Sequence, residues 1–239
     1  MIYGVIGDIH NNYDALSAVV QALRQEKVDR VLCVGDVVGY AAEPAPCIDL
    51  VRDLNCISVA GNHDYAAVGK FPAEYFHYDA RSVIVWTMNK LTHGYLDFLR
   101  NMPLVVELDD ITIVHGSLNR PEFFDYITTG ADAQLSLDLL KTPICFYGHT
   151  HIPMCVYREN GLVRMDRGTV YHLKNAEKAL INVGSVGQSR DWDVRACFAI
   201  YDSEEKIVQI KRVKYDIHSA AEKIYKAGLP SSNALRLIG

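Results

Sequence analysis

Three observations predict an α/β (α+β) fold with two β-sheets and helices around them. Short apolar strands alternate with amphipathic helices through the first 60 residues, strands crowd together after Pro103, and glycine followed by polar residues ends strand after strand. Ile2 to Ile6 reads as the first strand. Tyr13 to Arg24 is a helix with Leu16, Val19, Val20 and Leu23 on one face, and Val31 to Val34 is a second strand. A helix from about Pro46 to Leu54 and a strand from Ile57 to Ala60 complete a βαβαβ unit, whose strands run parallel with right-handed crossovers.

Residues 65–102 break this rhythm with an aromatic, helix-rich segment containing Trp86, read as an insertion folded over one side of the site. After Pro103, LVVEL and ITIVH flank Asp109-Asp110 as a hairpin. The stretches PICFYGH, IPMCVYR, LVRMD, TVYHL, ALINVG, ACFAIYD and KIVQIKRV then supply a second sheet with antiparallel content, and helical spacing returns in HSAAEKIYKAGLP and SNALRL. No repeat, low-complexity stretch or flexible linker divides the chain, so residues 1–239 are expected to form one domain carrying the insertion.

Hydrophobic types at 49% and charged types at 22% fit a globular protein with a sizeable core. A formal net charge of −5 argues against a stable nucleic-acid partner or a lipid-coating role, while leaving room for a local cationic centre. The six cysteines form no CxxC pair and sit in apolar runs such as VLCVG and ACFAI, as reduced core residues do. The start has no basic segment followed by an apolar one and no run is long enough to span a membrane, so a cytoplasmic protein is expected.

Polar residues collect just past the strand ends: Asp8 and His10, Asp36, Asn62 and His63, His115, and His149 and His151. In parallel sheets such exits lie side by side, so these groups should converge. Two ionised carboxylates packed together repel, and clustered imidazoles gain nothing to offset their desolvation; divalent cations remove both conflicts. In D-x-H and H-x-H the side chains leave alternate residues of an extended segment and can address one small region. The mixture of carboxylate, imidazole and amide oxygen suits Mn, Fe, Zn, Ni or Co better than Mg or Ca. Seven ligands exceed the needs of one ion, which points to two metals about 3.5–4 Å apart.

The ordered motifs GDIHNN, GDVVGY, GNHD, VHGS and GHTH resemble those of the calcineurin-like metallophosphoesterase superfamily, and INVGSVGQSRD resembles the closing loop of its small bacterial and archaeal branch, which includes diadenosine polyphosphate hydrolases. The resemblance implies a four-layer αββα sandwich of two mixed sheets. It also implies that Asp8, His10 and His151 hold one metal, that Asn62, His115 and His149 hold the other, with Mn the expected ion, and that Asp36 bridges them. His63 matches the family's non-ligand histidine, which contacts substrate and protonates the leaving oxygen. The implied activity is hydrolysis of a small phosphodiester or phosphoanhydride by a metal-bridging hydroxide.

Alternatives are a dinucleoside polyphosphate hydrolase specifically, a phosphomonoesterase or protein phosphatase, a nuclease, and a catalytically inactive scaffold of the same fold. Protein serine/threonine phosphatases carry an aspartate three residues after the bridging one and an arginine before G-N-H, where this chain has Gly39 and Ala60, which disfavours that class. Asp64 is a local candidate to orient His63 in the missing aspartate's place. Asn11, Tyr40, Tyr65, Arg120 and Arg190 are candidate substrate contacts, the arginines for phosphate oxygens and the tyrosines as a stacking wall that Phe71, Tyr75, Phe76 and Tyr78 would extend.

Overall fold

Val5 and Ile6 point to opposite sides of the first strand, and that alternation, repeated along every central strand, sets the layering. A computed structural model describes residues 1–239. The opening unit is β1 (Ile2–Ile6), α1 (Tyr13–Gln25), β2 (Arg30–Cys33), α2 (Pro44–Asp53) and β3 (Ile57–Ser58). β1 pairs with β2 and β2 with β3, all parallel, as the sequence predicts. α1 starts where the Asn12 side chain accepts from the Ala15 amide at 3.1 Å, and α2 has Pro44 in its first turn, where no N–H is missed.

The helical segment begins earlier than expected, with α3 (Asn62–Ala67) inside the GNHD motif, and continues through α4 (Tyr78–Lys90) and α5 (His93–Asn101). Then come the hairpin β4 (Val105–Glu107) and β5 (Ile111–Val114), α6 (Gly130–Leu139), β6 (Ile144–Tyr147), β7 (Met154–Glu159), β8 (Leu162–Asp166), β9 (Val170–His172), β10 (Lys178–Asn182), β11 (Ala196–Asp202), β12 (Ile207–Val213), α7 (Ile217–Lys226) and α8 (Ser231–Ile238).

Two six-stranded mixed sheets result, ordered β3-β2-β1-β11-β12-β9 and β4-β5-β6-β10-β7-β8. This corrects the expectation that all the late strands form the second sheet. The free edge of β1 is completed by β11, antiparallel, with Tyr3 opposite Tyr201, and β12 and β9 follow it into the first sheet. β8 and β9, adjacent in sequence, therefore lie in different sheets. α6 is a second departure: ADAQLSLDLL lies in a stretch read as strands, yet Thr129 and Asp132 cap it reciprocally, each side chain accepting from the other's amide.

Val5, Leu32, Ile113, Phe146, Ile181, Cys197 and Ala199 fill the space between the sheets. The alternate residues face outward, Ile6, Cys33 and Phe198 against α1, α2 and α5, and Cys145, Tyr147 and Leu180 against Ala133 and Leu137 of α6. The architecture is thus an αββα sandwich. Five of the six cysteines are buried, and each remains a free thiol. No helix is long and apolar enough to cross a membrane. Phe146 is fully buried between the sheets, so Phe146→Ala should cost about 3–5 kcal/mol, read as a lowered urea midpoint at unchanged slope.

Candidate metal centre

The parallel strands β1, β2 and β3 of one sheet and β5 and β6 of the other all end at the same rim, and there the chain turns sharply. Asp8, His10, Asp36, His149 and His151 all adopt positive φ, between 50° and 69°, a region non-glycine residues seldom occupy. Strain of this kind persists where the surrounding structure enforces it, and here it turns each side chain inward. Two motif glycines make room: a Cβ on Gly61 would lie 2.0 Å from Asp36 Oδ1, and one on Gly148 would lie 2.3 Å from Asp8 Oδ2.

Three imidazoles are fixed by backbone carbonyls. His10 Nδ1 donates to Val38 O at 3.0 Å, His115 Nδ1 to Val34 O at 2.8 Å, and His151 Nδ1 to Gln188 O. In a neutral ring the proton must then sit on Nδ1, which leaves Nε2 as a bare lone pair. Yet His10 Nε2 faces His151 Nε2 at 3.1 Å, with Asp8 Oδ1 3.3 Å from the latter. His115 Nε2 likewise faces Asn62 Oδ1 at 3.2 Å and His149 Nδ1 at 3.1 Å. Asp36 Oδ2 stands between the two groups, 3.6 Å from His10 Nε2 and 3.3 Å from His115 Nε2. All seven side chains are at least nine-tenths buried.

Acceptors packed against acceptors at these distances repel unless a cation lies among them. The proton equilibria show the same deficit of positive charge. Burial drives the Asp8 carboxyl up to about 7, with Asp36 adding to the rise. Burial also opposes ionisation of Asp36, but the neighbouring imidazoles, His115 foremost, outweigh it and hold that carboxyl well below the usual range. Desolvation pulls His115 down, and the charge of Asp36 reverses this to about 9. Asp8, His10 and His151, then Asp36, His115 and His149, and also His10, Asp36 and His63, each bring one ligand atom per residue within 4.8 Å of one another, so each group has the spacing to hold a divalent ion.

His63 stands at the mouth of this cluster, its ring 4.8 Å from His10 and 4.7 Å from both Tyr40 and Phe76. Its Nδ1 is buried without a partner, and burial lowers its pKa to about 4. Asp64 does not orient it: that carboxylate accepts from the amides of Val38 and Gly61 at 3.1 and 2.9 Å. Gly39 does not orient it either: at its φ of 121° a Cβ would lie 2.6 Å from His63 Nδ1 and 2.7 Å from His10 Nδ1, so the close approach of both rings leaves no room for a side chain at that position.

A cleft of about 350 Å³ opens over the cluster, lined at its floor by Asp36, Asn62, His63, His149 and His151. Of the predicted substrate contacts, Tyr40 and Arg190 line it, joined by a 3.1 Å hydrogen bond from the guanidinium to the phenol. The other three do not. Asn11 is buried, donating to the Ala41 carbonyl and the Thr87 hydroxyl. Tyr65 turns its hydroxyl to the Met102 carbonyl at 3.0 Å, which anchors the helical segment. Arg120 is exposed and pairs with Asp125 at 3.6 Å.

Phe71, Tyr75 and Phe76 form one wall, as the aromatic insertion suggests, but Tyr78 faces solvent. Phe123, Phe124 and Tyr126 form an adjoining wall, Phe124 edge-on to Phe71 at 5.2 Å and Tyr126 stacked on His149 at 3.9 Å. Sequence reasoning passes over that wall and over His77 at the rim; the available signal was the aromatic run PEFFDY shortly after the VHGS motif.

Residues 1–206 match the Calcineurin-like phosphoesterase superfamily domain. The chain is 39% identical over 232 residues to the uncharacterized protein MJ0912 of Methanocaldococcus jannaschii, covering 95% of this chain and 93% of that one. A metallophosphoesterase from Sphaerobacter thermophilus superposes with a TM-score of 0.87 at 36% identity, covering 100% of this chain and 98% of its own. The hypothetical protein PH1004 from Pyrococcus horikoshii OT3 shares the fold with a TM-score of 0.80 at 19% identity, covering 99% of this chain and 97% of its own. With a buried Asp/His cluster fit for metal at its centre, the chain belongs to the calcineurin-like phosphoesterase superfamily and is a phosphoester hydrolase of that metal-dependent family.

Proposed function

We propose that the protein is a dinuclear metal-dependent phosphohydrolase acting on a small phosphodiester or phosphoanhydride, a dinucleoside polyphosphate among them. The observation that carries this is Asp36 Oδ2, which lies between two histidine-bearing ligand groups and within 3.6 Å of a ring nitrogen in each. Asp8, His10 and His151 would hold one ion, Asn62, His115 and His149 the other, and Asp36 both. When bound, such a pair, with manganese the first choice, supplies Lewis acidity toward phosphate oxygens and an activated water at neutral pH.

The chain's own residues supply the rest. Arg190 lines the cleft, where its guanidinium would bind a phosphate oxygen, and it donates to the Tyr40 hydroxyl, while its Nε is buried without a partner. His63 lines the cleft and is assigned to neither ligand set, although its ring nitrogen also lies within 4.8 Å of ligand atoms of His10 and Asp36; its position at the cleft supports a role in protonating the leaving oxygen. Burial keeps its ring neutral, and the negative charge of a bound phosphate acts in the opposite direction, favouring the imidazolium when substrate is present. The aromatic walls exclude water and offer faces to a base or an aryl leaving group.

Mn-loaded protein should hydrolyse bis(p-nitrophenyl) phosphate, and Asp36→Asn should abolish turnover while elemental analysis shows bound metal reduced. Full activity in that variant would refute the shared-carboxylate reading. His63→Ala should lower kcat by roughly 10²–10⁴-fold, the usual contribution of a proton donor, with the metal content unchanged; a loss of metal instead would make His63 a ligand.

A further inference from the structure

On the far side of Arg190 lies a second groove, of about 370 Å³, whose lining includes Gln188, Arg190, Trp192, Asp193 and Arg236. We propose that this groove is a second ligand subsite, which seats a nucleobase of the substrate stacked on Trp192 and read at its edge by the Gln188 amide. The proposal rests on the phosphohydrolase reading above and adds to it where the second half of the substrate lies.

Gln188 is 2% exposed, and neither its amide nitrogen nor its amide oxygen has a hydrogen-bond partner. A buried amide left unpaired on both atoms is costly, and Gln188 lines the groove, so a turn of its side chain toward a ligand seated there would pair both. A side-chain amide offers a donor and an acceptor side by side, the pattern that matches the edge of a base. Its backbone carbonyl is already committed to His151, so the side chain is free of any part in holding that ring.

Trp192 is fully exposed, and its φ of 68° lies in the left-handed region. The loop that presents it is held on both sides: Arg212 binds the Asp191 carboxylate and the Asp193 carbonyl, and Arg195 Nε donates to the Asp193 carboxylate at 2.9 Å. The braced loop thus presents an uncovered indole, both of whose faces are open to stacking. Arg190 lines both this groove and the cleft over the ligand cluster, so a phosphate chain crossing the guanidinium would connect a group in one to a group in the other.

Titration with adenosine, which carries no phosphate, tests the groove apart from the metal centre. Adenosine should quench tryptophan fluorescence saturably, the quench should vanish in Trp192→Ala, and Gln188→Leu should weaken it roughly tenfold, as one lost base contact does. In the Mn-loaded enzyme, Trp192→Ala should lower kcat/KM for diadenosine tetraphosphate, relative to that for bis(p-nitrophenyl) phosphate, by about tenfold. Quenching that stays linear, quenching that persists without Trp192, or a ratio of rates unchanged by the substitution overturns the proposal. If the wild-type protein hydrolyses neither ester with any divalent metal, the phosphohydrolase reading fails, and the adenosine titration still decides the subsite.

Discussion

Three hydrogen bonds from imidazole to backbone decide what the site can be. His10, His115 and His151 each spend the Nδ1 proton on a backbone carbonyl, those of Val38 and Val34 in the loop after β2 and that of Gln188 in the loop after β10. In the neutral rings the remaining nitrogens face inward as lone pairs, toward carboxylates that are themselves buried, and His115 is the ring that Asp36 favours in its protonated form. The bond from His115, on the second sheet, to Val34, at the end of β2, also ties the two sheets together at their common rim. The stacking of the sheets and the spacing of the ligand groups are therefore one constraint. The inter-sheet core around Phe146 fixes how the rims align, and the carbonyls fix which nitrogen each ring presents.

That coupling explains which parts of the structure were legible in the sequence. The βαβαβ opening and the strand-exit motifs could be read because each is local: apolar spacing names the element, and glycine followed by a polar pair marks its end. The convergence of Asp8, Asp36 and Asn62 then follows from parallel topology alone. Sheet membership did not follow, because ACFAIYD and KIVQIKRV carry apolar residues on both faces and either sheet would accept them; the free edge of β1 decided it. α6 was hidden for a related reason, its leucines and alanines resembling the strands around it, while the Thr129 and Asp132 cap acts over only three residues.

Substrate contacts were the least legible part. Tyr40 and Tyr65 occupy similar places after their motifs, yet one faces the cleft and the other turns to Met102. Sequence distance from a ligand does not determine direction. Tyr126 reaches the site from a loop after β5, and its contact is with His149, 23 positions later, at the end of another strand.

The charge on the cleft narrows what can enter it. Arg190 is the only arginine or lysine among the residues that line it, and the walls are aromatic where a nucleic-acid track would be basic. A polymer gains affinity from several neutralised phosphates at once, each releasing counterions, and a single guanidinium provides one such contact. With an overall charge of −5, nothing on the scale of the whole chain compensates. What attracts an anion is instead concentrated at the ligand cluster, where the field of bound cations would act over a few ångströms within low-dielectric walls. On the function proposed above, such a site would favour a ligand that carries its charge in a compact group flanked by planar apolar surface. A small phosphate ester with aromatic or nucleoside substituents would meet that description, and a nucleic-acid backbone would not.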